Sequence, residues 1–361
     1  MTRFALAVTA LLGVAYAYLA ARLAAGTASA LVLATPFVLI WILPVVYWGS
    51  ERGREGFLDK LVHRASYLSM AWVSFALVLT VFRDLALMAT YGMPSIHQVV
   101  YRFHWGYVAV GALILMAIGA AAAFMGPRIK YVDLRVAGLH PDLEGFRIAQ
   151  ISDLHVGPNI GRRYVQRVVD EVLQLKPDLV ALTGDIVDGP VARLMHDVAP
   201  LAALSPSYFI LGNHDCYAGA ESWMAHFREM GMTVLVNSSV VIKKGGARLL
   251  IGGVVDPAYR RLQPEIEIRE PADFKLLLAH NPRLAPLGAK AGFDLQLSGH
   301  THGGQFFPWT LAVRLVHAPH VAGLSREGNM QVYVSAGTGT WGPPVRFGTS
   351  PEVTLVRLVR A

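Results

Sequence analysis

The chain has 361 residues, of which 54% are hydrophobic and only 16% charged, with a formal net charge of +7 and one cysteine. That length leaves room for two units, and a single cysteine excludes an intrachain disulfide framework while being compatible with a reducing compartment. The positive excess is spread thinly, +4 over residues 1 to 126 and +3 over the rest, without the concentrated basic block of a nucleic-acid surface, so no nucleic-acid partner is expected.

Residues 1 to 126 hold eight Lys/Arg and four Asp/Glu, against 24 and 21 in the remainder, so the chain divides near Gly126 into an apolar part and an ordinary globular part. Four apolar stretches, Phe4 to Ala25, Ala30 to Trp48, Ala65 to Phe82 and Trp105 to Met125, are each near the ~20 residues that cross a bilayer as a helix. They predict an all-α, four-span region over 1–126. Pro36 and Pro44 fall inside the second stretch, where neighbouring helices can satisfy the freed carbonyls. A cleavable signal peptide is the competing reading of the first stretch, because Arg3 gives a basic start and Ala15-Tyr16-Ala17 a small-x-small site.

Arg52, Arg54, Lys60 and Arg64 between spans two and three, and Arg128, Lys130 and Arg135 after span four, outnumber Arg22, Arg83 and Arg102 on the opposite connections. The bias places the C-terminal half in the cytoplasm, with or without cleavage of the first stretch, as expected for an integral protein of the inner membrane. Arg83-Asp84, at the end of span three, reads as an interfacial anchor rather than a functional intramembrane pair.

From Arg147 the sequence alternates short β-rich runs with loops: Arg147 to Ser152, Asp178 to Thr183, Tyr208 to Leu211, Thr233 to Val236, Arg248 to Gly252, Phe274 to Ala279, Asp294 to Leu297, Val332 to Ser335 and Val353 to Leu358. Val165, Val168, Val169, Val172 and Leu173 recur at helical spacing between the first two, giving a strand-helix-strand opening and an α/β layered domain over 127–361. Five strand ends run into ligand-type side chains: Asp153-Leu154-His155, Gly184-Asp185, Gly212-Asn213-His214-Asp215, His280-Asn281 and Gly299-His300-Thr301-His302. Loops at strand ends can converge on one point, and an Asp, Asn and His set without Cys suits Mn, Fe or Zn in a catalytic site better than a structural thiolate zinc.

The order D-x-H, G-D-x-x-D, G-N-H-D, H, G-H-x-H resembles the calcineurin-like metallophosphoesterases over Phe146 to Leu358. Gly337-Thr338-Gly339 through Pro343-Pro344-Val345-Arg346 resembles their membrane-linked bacterial branch. The resemblance implies a layered sandwich of two β-sheets flanked by helices. It implies that Asp153, His155, Asp185 and His302 hold one metal and Asp185, Asn213, His280 and His300 a second, with Asp185 bridging. Two such cations roughly 3.5 to 4 Å apart would activate a water and clamp an in-line displacement at phosphorus. His214 would then serve the leaving oxygen, with Asp188 holding its other nitrogen.

Other residues carry weaker readings. Asp215 is either a residue that orients a ligand or a cap for the following turn. Arg162 and Arg163 read as surface residues of a helix rather than phosphate ligands. Cys216 reads as a filler, and the isolated His63, His97, His140, His196 and His226 receive no role. Where the phosphoprotein phosphatase branch has an arginine after the second Asp of G-D-x-x-D, this chain has Gly189, which disfavours a protein phosphatase. Phe306-Phe307-Pro308-Trp309 through Leu315 is apolar for a loop beside such a site; it either dips into a bilayer interface or packs as a cover on the core.

The expected activity is a membrane-anchored phosphodiesterase or pyrophosphatase. Its expected partners are the bilayer and a phosphate-containing substrate such as a phospholipid or a nucleotide-linked lipid. The alternatives are a nucleotide phosphoesterase merely tethered to the membrane and a non-enzymatic sensor or scaffold, against which the complete ligand set argues.

Overall fold

A computed structural model describes residues 2–43 and 57–361. The chain divides into two compact units, Met1–Ala122 with Gly342–Phe347, and Ala123–Trp341 with Gly348–Ala361.

The first unit is helical: α1 (Thr2–Leu23), α2 (Thr27–Ile42), α3 (Phe57–Ala89), α4 (Pro94–Tyr101) and most of α5 (Trp105–Phe124). Three apolar segments, Leu6–Leu23, Leu61–Ala89 and Gly106–Phe124, are long enough to cross a membrane; Thr27–Ile42 is a shorter apolar helix with Pro36 inside it. The predicted remainder of span two to Trp48, with Pro44, lies outside the described residues, as do Arg52 and Arg54. Span three is longer than its hydropathy suggests, so Arg83-Asp84 falls within a helix instead of ending one. Asp84 accepts a hydrogen bond from Tyr18 at 3.0 Å and pairs with Arg22 at 2.9 Å, tying α3 to α1. Charges in an apolar segment persist where they find such partners. Within this unit Gly342–Phe347 is bound by the Arg346 N–H to the Gly119 carbonyl at 2.9 Å and by Phe347 packed edge-on against Phe75, and Gly342 to Arg346 are buried.

The second unit is a four-layer sandwich. One sheet runs β1 (Arg128–Val136), β12 (Glu352–Arg360), β2 (Arg147–Ile151), β3 (Leu179–Leu182), β4 (Ser207–Phe209) and β5 (Thr233–Val234); the other runs β10 (Gly323–Glu327), β11 (Met330–Val334), β9 (Leu295–Ser298), β8 (Phe274–Leu278), β7 (Ala247–Gly253) and β6 (Ser238–Lys244). Ile148, Leu179, Ala181 and Val356 of the first sheet meet Leu249, Ile251, Leu276 and Leu297 of the second in one core. A second core lies between the first sheet and the helices α6 (Arg162–Gln174), α7 (Val191–Val198) and α8 (Asn213–Glu229), and a third includes α9 (Ala285–Ala291) against the second sheet. The remaining helix, α10 (Trp309–His317), has no buried residue. Strands buried on both faces explain the continuous apolar runs from which they were predicted.

All nine predicted strands are present, with ends shifted by up to two residues. In α6, Val165, Val168, Val169 and Val172 are buried, whereas Leu173 is exposed. β1, β6 and β10 were not anticipated. Arg128, Lys130 and Arg135, read as a post-span loop, belong to β1, which pairs in parallel with β12 along a sheet edge; there charged side chains are tolerated and guard against further pairing.

Candidate metal centre

Strands β2, β3 and β4 are mutually parallel, as are β8 and β9, so within each set the carboxyl ends and the loops that follow share one end of the sheet. The first two loops run side by side: the N–H of Asp153 donates to the Gly184 carbonyl at 3.0 Å, and that of His155 to the Asp185 carbonyl at 3.0 Å. Glycines allow the approach. A Cβ at Gly184, where φ is +87°, would stand 2.6 Å from the Gly212 nitrogen, and one at Gly212 would collide with the Asp185 carboxylate. Of the eight non-glycine residues with positive φ among the described residues, five are Asp153, His155, Asp185, His300 and His302. Such backbone costs about 1–3 kcal/mol per residue and persists where the surroundings over-determine it, as at a ligand clamp.

Two groups of nitrogen and oxygen atoms result. In the first, His155 Nε2 lies 3.0 Å from His302 Nε2, which is 3.5 Å from Asp153 Oδ1. In the second, Asn213 Oδ1 lies 2.8 Å from His300 Nδ1 and 3.2 Å from His280 Nε2. Asp185 Oδ2 stands between the groups, 3.2 Å from His280 Nε2 and 3.9 Å from His155 Nε2. Asp153-His155-His302 and Asp185-His280-His300 thus each gather three ligand atoms within 4.8 Å of one another; His155-Asp185-His214 forms a third such group. The structure brings together all seven residues expected to bind metal.

The surroundings fit cations. His280 Nδ1 lies 2.8 Å from the Thr183 carbonyl and therefore carries the hydrogen, leaving the Nε2 lone pair turned inward; Asp188 Oδ1, 2.9 Å from His155 Nδ1, does the same for His155. Ser152 donates to Asp153 Oδ2 at 2.6 Å and the His300 N–H to Asp153 Oδ1 at 2.8 Å. Burial pushes the Asp153 carboxyl up, and although His280 pulls it down, the charge of Asp185 adds to the rise. Burial alone would lower His155, but Asp188, Asp185 and Asp153 outweigh it and push it up to about 9. Burial and the charge of His280 bring His300 down to about 3. Protons thus share a buried nest of carboxylates and imidazoles that divalent cations would neutralise.

Asp188 has a wider reach than expected. Its Oδ1 is 2.9 Å from His214 Nδ1 as well as from His155 Nδ1, so one carboxylate orients both histidines. Asp215 unites both of its open readings. It caps α8 through the Gly212 N–H at 2.9 Å and also accepts the N–H groups of Asp185, Ile186 and Val187 at 2.7, 2.9 and 3.1 Å. Ser152 and Thr183 were missed, because nothing in their local sequence distinguishes a hydroxyl or carbonyl that supports a ligand from an ordinary strand end. Arg162 and Arg163 are exposed, with Arg162 hydrogen-bonded to the His196 carbonyl. A Cβ at Gly189 would collide with the Arg193 guanidinium, so an arginine from α7 overlies the position that the phosphoprotein phosphatases fill with one. The apolar run after His302 splits: Phe306 is buried, while Trp309, Leu311, Leu315 and Val316 of α10 are exposed.

The family model for calcineurin-like phosphoesterases matches residues 146–304. Over 273 residues the chain is 34% identical to a transmembrane protein with metallophosphoesterase domain of Danio rerio, covering 69% of this chain and 62% of that one. It is 34% identical over 245 residues to a metallophosphoesterase of Helicobacter pylori, covering 64% of each. To the metallophosphoesterase YkuE of Bacillus subtilis it is 30% identical over 269 residues, 70% of this chain and 94% of that one. The chain spans about three-fifths of the length of the first two relatives. Five loops converging on two N/O clusters, with the matches that cover them, place this chain in the calcineurin-like metallophosphoesterase family.

Proposed function

We propose that the protein is a membrane-anchored dinuclear-metal phosphodiesterase or pyrophosphatase, with Asp153, His155, Asp185 and His302 holding one cation and Asp185, Asn213, His280 and His300 the other. The observation that carries this reading is the position of Asp185 Oδ2 between His280 Nε2 and His155 Nε2, where one carboxylate can serve both clusters. When bound, cations such as Mn, Fe or Zn would acidify a water so that it loses its proton to solvent near neutral pH, and would polarise the phosphoryl oxygen. The hydroxide oxygen would bond to phosphorus as the bond to the leaving oxygen breaks, and His214 would give that oxygen its proton. Asp188 holds His214 through Nδ1, fixing the orientation of its ring.

The excess of Lys/Arg on the predicted inner connections supports a cytoplasmic catalytic unit in the inner membrane. The exposed apolar side chains of α10 support a lipid-borne phosphate as substrate. This helix begins seven residues after His302, and its last residue, His317, packs its ring 5.4 Å from that of His300. The test is mass spectrometry of membrane lipids and soluble phosphometabolites after incubation with metal-loaded wild type and Asp185→Asn. A lipid phosphate consumed only by wild type supports the reading, a soluble nucleotide consumed instead indicates a tethered nucleotide phosphoesterase, and no difference in either pool rules out both.

A further inference from the structure

The His214 side chain is 23% exposed, and Asn213 and His300 are likewise half-buried, whereas the side chains of Asp153, His155, Asp185 and His280 are at most 3% exposed. Two aromatic rings pack against His214. Tyr217 lies with its ring centroid 5.7 Å from His214 and an interplanar angle of 62°, and Trp341 at 5.8 Å and 70°. Both are exposed, Tyr217 at 72% and Trp341 at 45%, so neither is there to fill a core.

Each residue is joined through its backbone to a segment that carries a proposed ligand. Tyr217 is one helical turn beyond Asn213 on α8. The backbone N–H of Trp341 donates to Gln305 Oε1 at 2.9 Å, and its backbone carbonyl accepts from Gln305 Nε2 at 2.9 Å. Gln305 is buried, three residues past His302, with φ of +57°. Two unrelated segments thus each bring an exposed ring to one histidine.

We infer that Tyr217 and Trp341 are specificity-determining residues that receive a planar unsaturated ring on the leaving group. The inference rests on the proposed delivery of a proton by His214 to the leaving oxygen: a group departing from that oxygen passes the two rings. Aromatic faces favour offset or edge-on contact with another π system over contact with a saturated chain, an advantage of about tenfold in affinity. The substrate class is then a phosphate ester or anhydride whose leaving side bears such a ring, a chemistry shared by nucleobases and simple aryl groups.

Phosphonates test this without turnover, because their P–C bond is not hydrolysed. Dissociation constants of methyl-, cyclohexyl- and phenylphosphonate are measured by calorimetry on the metal-loaded full chain, for wild type, Tyr217→Ala, Trp341→Ala and Trp341→Phe. The expected result is phenylphosphonate binding about tenfold tighter than either other probe, an advantage lost in both alanine variants and retained in Trp341→Phe. Methylphosphonate should bind all four proteins within about twofold, showing an intact centre. Competition by adenosine 5′-phosphate against ribose 5-phosphate then assigns the source: a stronger adenosine compound indicates a nucleobase, equal competition an aryl group next to phosphorus. Equal binding of phenyl- and cyclohexylphosphonate by wild type, or an advantage that survives both alanine variants, overturns the inference. Failure of every phosphonate to bind removes the metal-centre reading itself and this inference with it.

Discussion

Asp215 Oδ2 accepts the backbone N–H of Asp185 at 2.7 Å, so the carboxylate placed between the two clusters is held by a second, fully buried one. Replacing Asp215 by Ala leaves the N–H groups of Asp185, Ile186, Val187 and Gly212 without their acceptor. Bonds to a charged group contribute about 1.5–3 kcal/mol each and are not additive, so a loss of roughly 3 kcal/mol or more in stability is expected. Metal affinity should fall about 10–100-fold as the 185–187 backbone loosens. Asp215→Asn should also be impaired, since each oxygen accepts two N–H groups and an amide nitrogen accepts none. Denaturant unfolding with metal titration checks both; an unchanged midpoint for Asp215→Ala would refute the assignment.

The shared contact of Asp188 separates two kinds of defect. His214→Ala should lower kcat on an activated phosphodiester about 10²-fold or more while metal content stays at the wild-type level. Asp188→Ala should lower kcat comparably and in addition weaken metal retention about 10–100-fold, because His155 Nδ1 loses its acceptor along with His214. Metal titrations on both variants, read beside the kinetics, make the comparison. Wild-type affinity in Asp188→Ala would show that the bond to His155 does not orient a ligand.

The sequence exposed the centre more fully than the frame around it, for a physical reason. Asp153, Asp185, Asn213 and His280 each follow a strand buried on both faces, and such strands announce themselves as apolar runs whose ends are sharp. β1 has a burial pattern mixed along its length and carries Arg128, Lys130, Asp133 and Arg135, so its period is lost in the charge that an edge permits. α3 shows the opposite limit. Its apolar run stops at Phe82, yet the helix continues to Ala89, because Tyr18 and Arg22 satisfy Asp84 from another helix 66 and 62 residues away in the chain. The two contacts of Asp188 and the four of Asp215 depend in the same way on partners that only the fold assembles.

Gly212 is a sharper probe of the centre than its small size suggests. It precedes α8 with an extended backbone, φ of −97° and ψ of 178°, which any residue can adopt, so Gly212→Ala adds no torsional strain. The added Cβ nevertheless meets the carboxylate and backbone nitrogen of Asp185. Overpacking of this kind costs about 1–3 kcal/mol, and here it also displaces the residue between the clusters. Metal content should fall below two ions per chain while the fold, followed by circular dichroism, persists. Two tightly bound ions in Gly212→Ala would show that Asp185 can move without loss of a site.

Cys216 follows Asp215 directly, and its chemistry is set by that setting. Burial pushes its thiol well above the ordinary range, and the charges of Asp215, Asp256 and Asp185 push further in the same direction. Alkylation proceeds through the thiolate, so a raised pKa means a smaller reactive fraction at a given pH. In chelator-treated folded protein, iodoacetamide should therefore modify Cys216 at least about tenfold more slowly at pH 8 than after unfolding. Its rate should keep rising with pH beyond pH 9, where an ordinary thiol with a pKa near ~8.5 levels off. Cys216→Ala should leave phosphodiester turnover within about twofold, because the thiol supplies neither a nucleophile nor a ligand. Rapid alkylation of the folded chain at pH 8 would show instead that the site lowers this pKa and would make Cys216 a reactive group rather than a filler.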